Sequence, residues 1–127
     1  PQILLERYKL SYRILNTDWE NMESEINILN GFLNTTEDIV IVDSYMVTEA
    51  YMKALYTKVK TVYIEDHMKC PYNVDILINY NLYHFIFDYL GVYKKQKTKL
   101  LLGAQLCAIT RRIFKFIILK IMKFGKK

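Results

Sequence analysis

The sequence predicts an α/β domain built on a parallel sheet with flanking helices, and three observations carry that prediction. Ile39-Val40-Ile41-Val42 is a run of β-branched residues of strand length. Two further runs, Val59–Ile64 and Val74–Ile78, follow at spacings that leave room for helices between them. Each run ends in polar groups: Asp43, Ser44 and Tyr45; then Glu65, Asp66 and His67; then Asn79 and Asn81. Unbroken apolar runs imply strands buried on both faces, as in a doubly wound sheet covered by helices on either side. In such sheets ligands lie beyond the carboxyl ends of the strands, where these polar groups fall. A core strand followed by a polar turn explains any one of them. Their agreement points to a crevice for a nucleotide or polyhydroxylated ligand.

Taken in order, Leu10–Leu15 is a candidate strand through Tyr12, Ile14 and Leu15. Thr17-Asp18-Trp19-Glu20 has the form of a capping box, with a hydroxyl and a carboxylate satisfying each other's backbone N–H groups. The helix it would open places Met22, Ile26, Leu29 and Leu33 on one stripe, with Glu23, Glu25 and Asn27 off it. Gly31 and Asn34 suit its end. Beyond the Ile39–Val42 strand, Thr48–Tyr56 reads as a second helix with Tyr51, Ala54 and Leu55 turned inward. A loop marked by Cys70-Pro71 precedes the third strand, and a helical turn over Leu82–Leu90 is closed by Gly91. The basic linker Lys94-Lys95-Gln96-Lys97 leads to a last strand, Lys99–Leu102, ending at Gly103.

With 127 residues the chain has room for one modest α/β domain or part of a larger one. A 52% hydrophobic content, rich in tyrosine, rules out wholesale disorder. Cys70 and Cys107 stand far apart without metal-ligand spacing, so neither a disulfide framework nor a metal site is expected. The start has no secretory pattern, and a cytoplasmic location is the expectation. It also has no initiator methionine, as expected of a chain that begins inside a longer protein. The net charge of +5 conceals a division. Residues 1–93 carry seven Lys or Arg against thirteen Asp or Glu, and residues 94–127 carry eleven against none. That break marks a change in the kind of sequence rather than a uniformly basic domain.

The ordered motifs Ile-Val-Asp-Ser-Tyr (41–45), Ile-Glu-Asp (64–66), Val-Asp-Ile-Leu-Ile-Asn-Tyr-Asn (74–81) and Leu-Leu-Leu-Gly (100–103) resemble the UDP-sugar hydrolases of the pseudaminic acid pathway. Their relatives called spore coat polysaccharide biosynthesis proteins are the nearest likeness, and Trp19–Glu25 fits the same pattern. The resemblance spans roughly residues 8–103. It implies a Rossmann-like N-terminal domain of the GT-B type, facing a second domain across a nucleotide-sugar cleft. It also implies hydrolysis of a UDP-amino-sugar in bacterial surface or spore coat polysaccharide synthesis, or the chemistry of a glycosyltransferase-like relative. No cofactor is implied. Tyr45 would be the catalytic tyrosine beside the reacting sugar, with Asp43, Ser44, Asp66, Asn79 and Asn81 binding substrate. A phenol can donate to developing charge or orient a water, and a carboxylate can hold it or a sugar hydroxyl. Residues 1–103 therefore read as a partial domain without the family's first strand and the glycine-rich loop that carries its catalytic histidine. His67 and His84 do not match that histidine and read as surface or loop residues. Little or no activity is expected of the chain alone, and its unpaired sheet edge invites self-association.

After Gly103 the family's Tyr-Ala-Pro-Leu-Arg motif is missing. Permitted codons for Ala104–Phe114, shifted by one nucleotide, spell Leu-Asn-Tyr-Ala-Pro-Leu-Arg-Glu-Glu-Phe. Residues 104–127 thus read as a basic tail translated out of frame; codons incompatible with the shift would refute this. As it stands, the tail places Ile113, Phe114, Ile117, Ile118, Ile121, Met122 and Phe124 opposite five lysines on a helical wheel. Such a helix can rest weakly on an anionic membrane or on a partner, making a non-enzymatic binding module the alternative function. An AT-rich frame also produces Lys- and Ile-rich text without any selected role. No nucleic-acid partner is expected, because no reading motif interleaves the basic residues.

Overall fold

The computed structural model of the chain describes residues 2–9, 11–18, 20–34 and 37–106. Four parallel strands, β1 (Ile39–Val42), β2 (Lys60–Ile64), β3 (Ile76–Asn79) and β4 (Lys99–Leu102), form one sheet in the order β1-β2-β3-β4. The helices are α1 (Gln2–Arg7), α2 (Ile26–Asn30), α3 (Glu49–Tyr56) and α4 (Tyr89–Val92), with short 3₁₀ turns at Met22–Glu25, His84–Ile86 and Ala104–Leu106. The α/β class with an all-parallel sheet is therefore the observed one. The order is sequential, however, and has no reversal of the kind that defines a doubly wound sheet.

That order decides where the core lies. Parallel strands joined in sequence by right-handed crossovers carry every connection on the same face. The register aligns Val42 with Tyr63, Tyr63 with Leu77, and Leu77 with Leu100, so these side chains share a face. With Val40 and Leu102 they pack in the core cluster against Met22, Leu29, Tyr51, Met52, Leu55 and Tyr89. On the other face Ile41, Ile64, Ile76, Ile78 and Leu101 are only partly buried, and Ile39 is 51% exposed. The expectation of strands buried on both faces is corrected accordingly. Only β2 has three successive residues, Thr61, Val62 and Tyr63, all buried; β3, equally central in the sheet, alternates.

α3 forms as its sequence dictates. The Thr48 hydroxyl accepts from the Tyr51 N–H at 3.2 Å, a cap worth about 1 kcal/mol. Tyr51, Met52 and Leu55 point inward and are buried, Met52 and Leu55 each contributing about 1.5–3 kcal/mol of transfer free energy. The region before β1 departs more from expectation. No strand forms among the described residues of Leu10–Leu15, where Tyr12 and Ile14 are exposed. The capping box is not made: Thr17 Oγ1 donates to Glu25 Oε1 at 3.0 Å, and Asp18 Oδ1 accepts from the Glu20 N–H at 3.0 Å. The helix expected after Glu20 starts only at Met22, in a 3₁₀ turn. Side chains three apart eclipse one another in 3₁₀ geometry, so Glu25 follows Met22 inward and is fully buried. α-Helical spacing had placed Glu25 on the outside.

After β3 the single expected helix is two short pieces, His84–Ile86 and Tyr89–Val92, and the second runs through Gly91 rather than stopping there. Asp88 Oδ1 accepts from the Gly91 N–H at 2.9 Å and restarts the helix. The expectations for the basic tail beyond Leu106, including its amphipathic face, lie outside the described residues.

Candidate functional site

The carboxyl ends of β1 and β2 converge on a shallow depression, open to solvent, that encloses about 20 Å³. Asp43, Ser44 and Tyr45 line it from the first strand end and Asp66 from the second. Tyr63, Ile64, Glu65 and Tyr80 complete the wall. The Tyr45 hydroxyl donates to Asp66 Oδ2 at 3.0 Å across 21 residues of sequence, although the tyrosine is 61% exposed. The hydrogen bond to Asp66, and then its charge, raise the Tyr45 pKa above the ordinary phenol value. Tyr45 is therefore a proton donor at neutral pH, not a phenolate.

The backbone on either side is held in place. Ser44 Oγ accepts from the Met46 N–H at 3.2 Å, and the Lys69 ammonium donates to the Tyr45 carbonyl. His67 stands against the pair: its ring lies 5.2 Å from that of Tyr45, and its Nε2 is 3.5 Å from Asp66 Oδ1. Read from sequence as an ordinary loop histidine, it is instead the third member of a Tyr45–Asp66–His67 cluster. Only its adjacency to Asp66 could have suggested this, because the approach of Tyr45 is set by the parallel pairing of β1 with β2.

Beneath the depression lies a buried network that the sequence did not reveal. Glu65 is 6% exposed and spends both carboxylate oxygens on the protein. Its Oε1 accepts from the His67 N–H at 2.8 Å and from the Met68 N–H, and its Oε2 accepts from the Tyr89 hydroxyl at 2.6 Å. Asn79 Nδ2 donates to the same hydroxyl at 2.8 Å, while Asn79 Oδ1 accepts from the Asn81 N–H at 2.9 Å. Asn79, expected to bind substrate, is fully buried and shapes the turn after β3. Asn81 does not line the depression either; its carbonyl accepts from the His84 backbone N–H at 3.3 Å and from His84 Nδ1–H at 2.9 Å. Of the six expected site residues, Asp43, Ser44, Tyr45 and Asp66 come together, and Asn79 and Asn81 do not.

The hollow offers a phenolic donor and the carboxylates of Asp43 and Asp66, and the His67 imidazole stands against Asp66 outside the lining. Among the described residues no group of His, Cys, Asp or Glu has the arrangement of a metal site. No helix among them is long and apolar enough to cross a membrane. No family model, curated protein or solved structure matches the chain.

Proposed function

We propose that the depression is one wall of a nucleotide-sugar site, and that the chain is part of a UDP-amino-sugar hydrolase of bacterial surface or spore coat polysaccharide synthesis. The observation that carries the reading is the Tyr45–Asp66 hydrogen bond at the carboxyl ends of adjacent parallel strands, with Asp43 beside it. A sequential strand order is also what one half of a doubly wound sheet displays. In this reading Tyr45 donates to charge developing on the oxygen between sugar and phosphate, or orients the attacking water. Asp66 holds the phenol through Oδ2, and Asp43 accepts from sugar hydroxyls. The chemistry is displacement of UDP by water, in which water forms the new bond to the anomeric carbon and UDP leaves with the bonding pair. One wall cannot position the nucleotide from both sides, so the chain by itself binds weakly and does not turn over.

Chemical-shift mapping with UDP-N-acetylglucosamine tests this. Shifts centred on Tyr45, Asp66 and Tyr80 are expected, together with no release of UDP. Shifts absent from that wall at saturating nucleotide-sugar would remove the binding claim, and steady UDP release would overturn the claim of inactivity.

A further inference from the structure

The segment joining β3 to α4 and the turn after it present an apolar surface that the depression does not use. Seven of the fifteen large apolar side chains exposed among the described residues fall between Tyr80 and Val92. The most exposed are Leu82 at 77%, Phe85 at 75%, Leu90 at 74% and Ile86 at 64%. Scattered apolar side chains are ordinary on a protein surface, but this concentration within one short segment is the mark of a contact surface. The local backbone explains why they point outward. The segment is anchored on its inner side by Asn79, Tyr89 and Tyr93, all buried, and the short 3₁₀ and α turns turn the intervening residues away from the sheet.

Charge identifies the occupant. Lys94, Lys95 and Lys97 follow directly and are all exposed, with Lys94 one turn beyond Leu90. Between Tyr80 and Lys99 the sole acid is Asp88, whose carboxylate is turned back onto the Gly91 N–H. An apolar tip edged by lysines and by tyrosines, whose rings have one apolar and one wet end, matches the boundary between acyl chains and anionic headgroups. We propose that Leu82, Phe85, Ile86 and Leu90 insert shallowly into an anionic lipid surface while Lys94, Lys95 and Lys97 engage its headgroups. Tyr80 both begins this segment and lines the depression, so docking holds the polar hollow beside the lipid. The surface is distinct from the basic tail and stands whether or not the depression binds a nucleotide-sugar.

Co-sedimentation of the full chain, tail included, with vesicles of phosphatidylcholine alone and of phosphatidylcholine with phosphatidylglycerol tests the proposal. Binding is expected to the mixed vesicles only and to weaken with salt. The Phe85→Ser/Ile86→Ser variant should lose about tenfold or more in partitioning. Replacing Lys94, Lys95 and Lys97 by Gln should lose about fivefold per lysine. Replacing Lys115, Lys120 and Lys123 by Gln should leave most of the binding in place. Circular dichroism of each variant separates loss of contact from loss of fold. Equal binding to both vesicles would overturn the proposal, as would loss of binding only with the tail variant. So would a soluble dimer that Phe85→Ser/Ile86→Ser converts to monomer, because the surface would then belong to a second copy.

Discussion

The Tyr89 hydroxyl donates to Glu65 Oε2 at 2.6 Å, joining the end of β2 to α4 through a contact from which water is excluded. The same hydroxyl accepts from Asn79 Nδ2, so one phenol ties the ends of two strands. Removing it strands a buried carboxylate oxygen and a buried amide. Tyr89→Phe is expected to cost about 1–3 kcal/mol, read as a lower urea midpoint with unchanged slope. A midpoint equal to that of the native chain would show that the network does not hold the site in place.

Alkaline pH should unfold the protein through its interior tyrosines. Burial raises the pKa of Tyr51, Tyr63, Tyr72, Tyr89 and Tyr93 above the ordinary phenol value of 10.0. In the unfolded chain these phenols ionise near pH 10, while the folded chain keeps their protons. The folded state then holds more protons than the unfolded, so the stability is full below about pH 10 and falls as pH rises beyond it. Tyrosinate absorbance should rise in a cooperative step together with loss of the circular dichroism signal. Ionisation of every tyrosine in a chain that stays folded would contradict the assignment of a dry tyrosine core.

Tyr45 gives a separate titration, because it is exposed and its raised pKa comes first from Asp66. Asp66→Asn removes the charge while keeping an acceptor. The Tyr45 ring carbon bearing the hydroxyl, followed by NMR, should then ionise at lower pH than in the native chain. Stability should move by no more than about 0.5 kcal/mol, since the pair is at the surface. A Tyr45 titration indifferent to the substitution would mean that the hydrogen bond is not populated in solution.

At the opposite end of the sheet, Asp75 Oδ2 accepts from both the N–H and the hydroxyl of Thr61, at 2.8 and 3.2 Å. Thr61 is fully buried, so Asp75→Ala leaves two donors without their partner. A loss of about 2–3 kcal/mol is expected from thermal or urea unfolding, and Asp75→Asn, which keeps one acceptor oxygen, should cost less. Equal costs for the two variants would assign the effect to packing instead.

Much of the framework was legible from local pattern. The limits of β1 follow from a β-branched run, those of β4 from a leucine run ended by Gly103, and the cap of α3 from one hydroxyl, Thr48, in the right place. Legibility failed where tertiary packing overrode spacing. Glu25 went inside because a 3₁₀ turn replaced an α-helical one, and Thr17 served that carboxylate instead of a cap. Asn79 looked like a ligand because it ends a strand, yet the pleat turns it to the same side as Leu77, into the core.

What the sequence determined by itself is the set of parallel strands and the gathering of polar groups at their carboxyl ends. Both depend on short-range preferences: β-branched side chains favour the strand, and polar side chains favour its solvated end. The tertiary structure alone decided which of those groups meet. Side-chain direction alternates along each strand, and the register between strands selects which residues share a face. That selection brought Tyr45 to Asp66 and His67, and sent Glu65 and Asn79 inward to Tyr89.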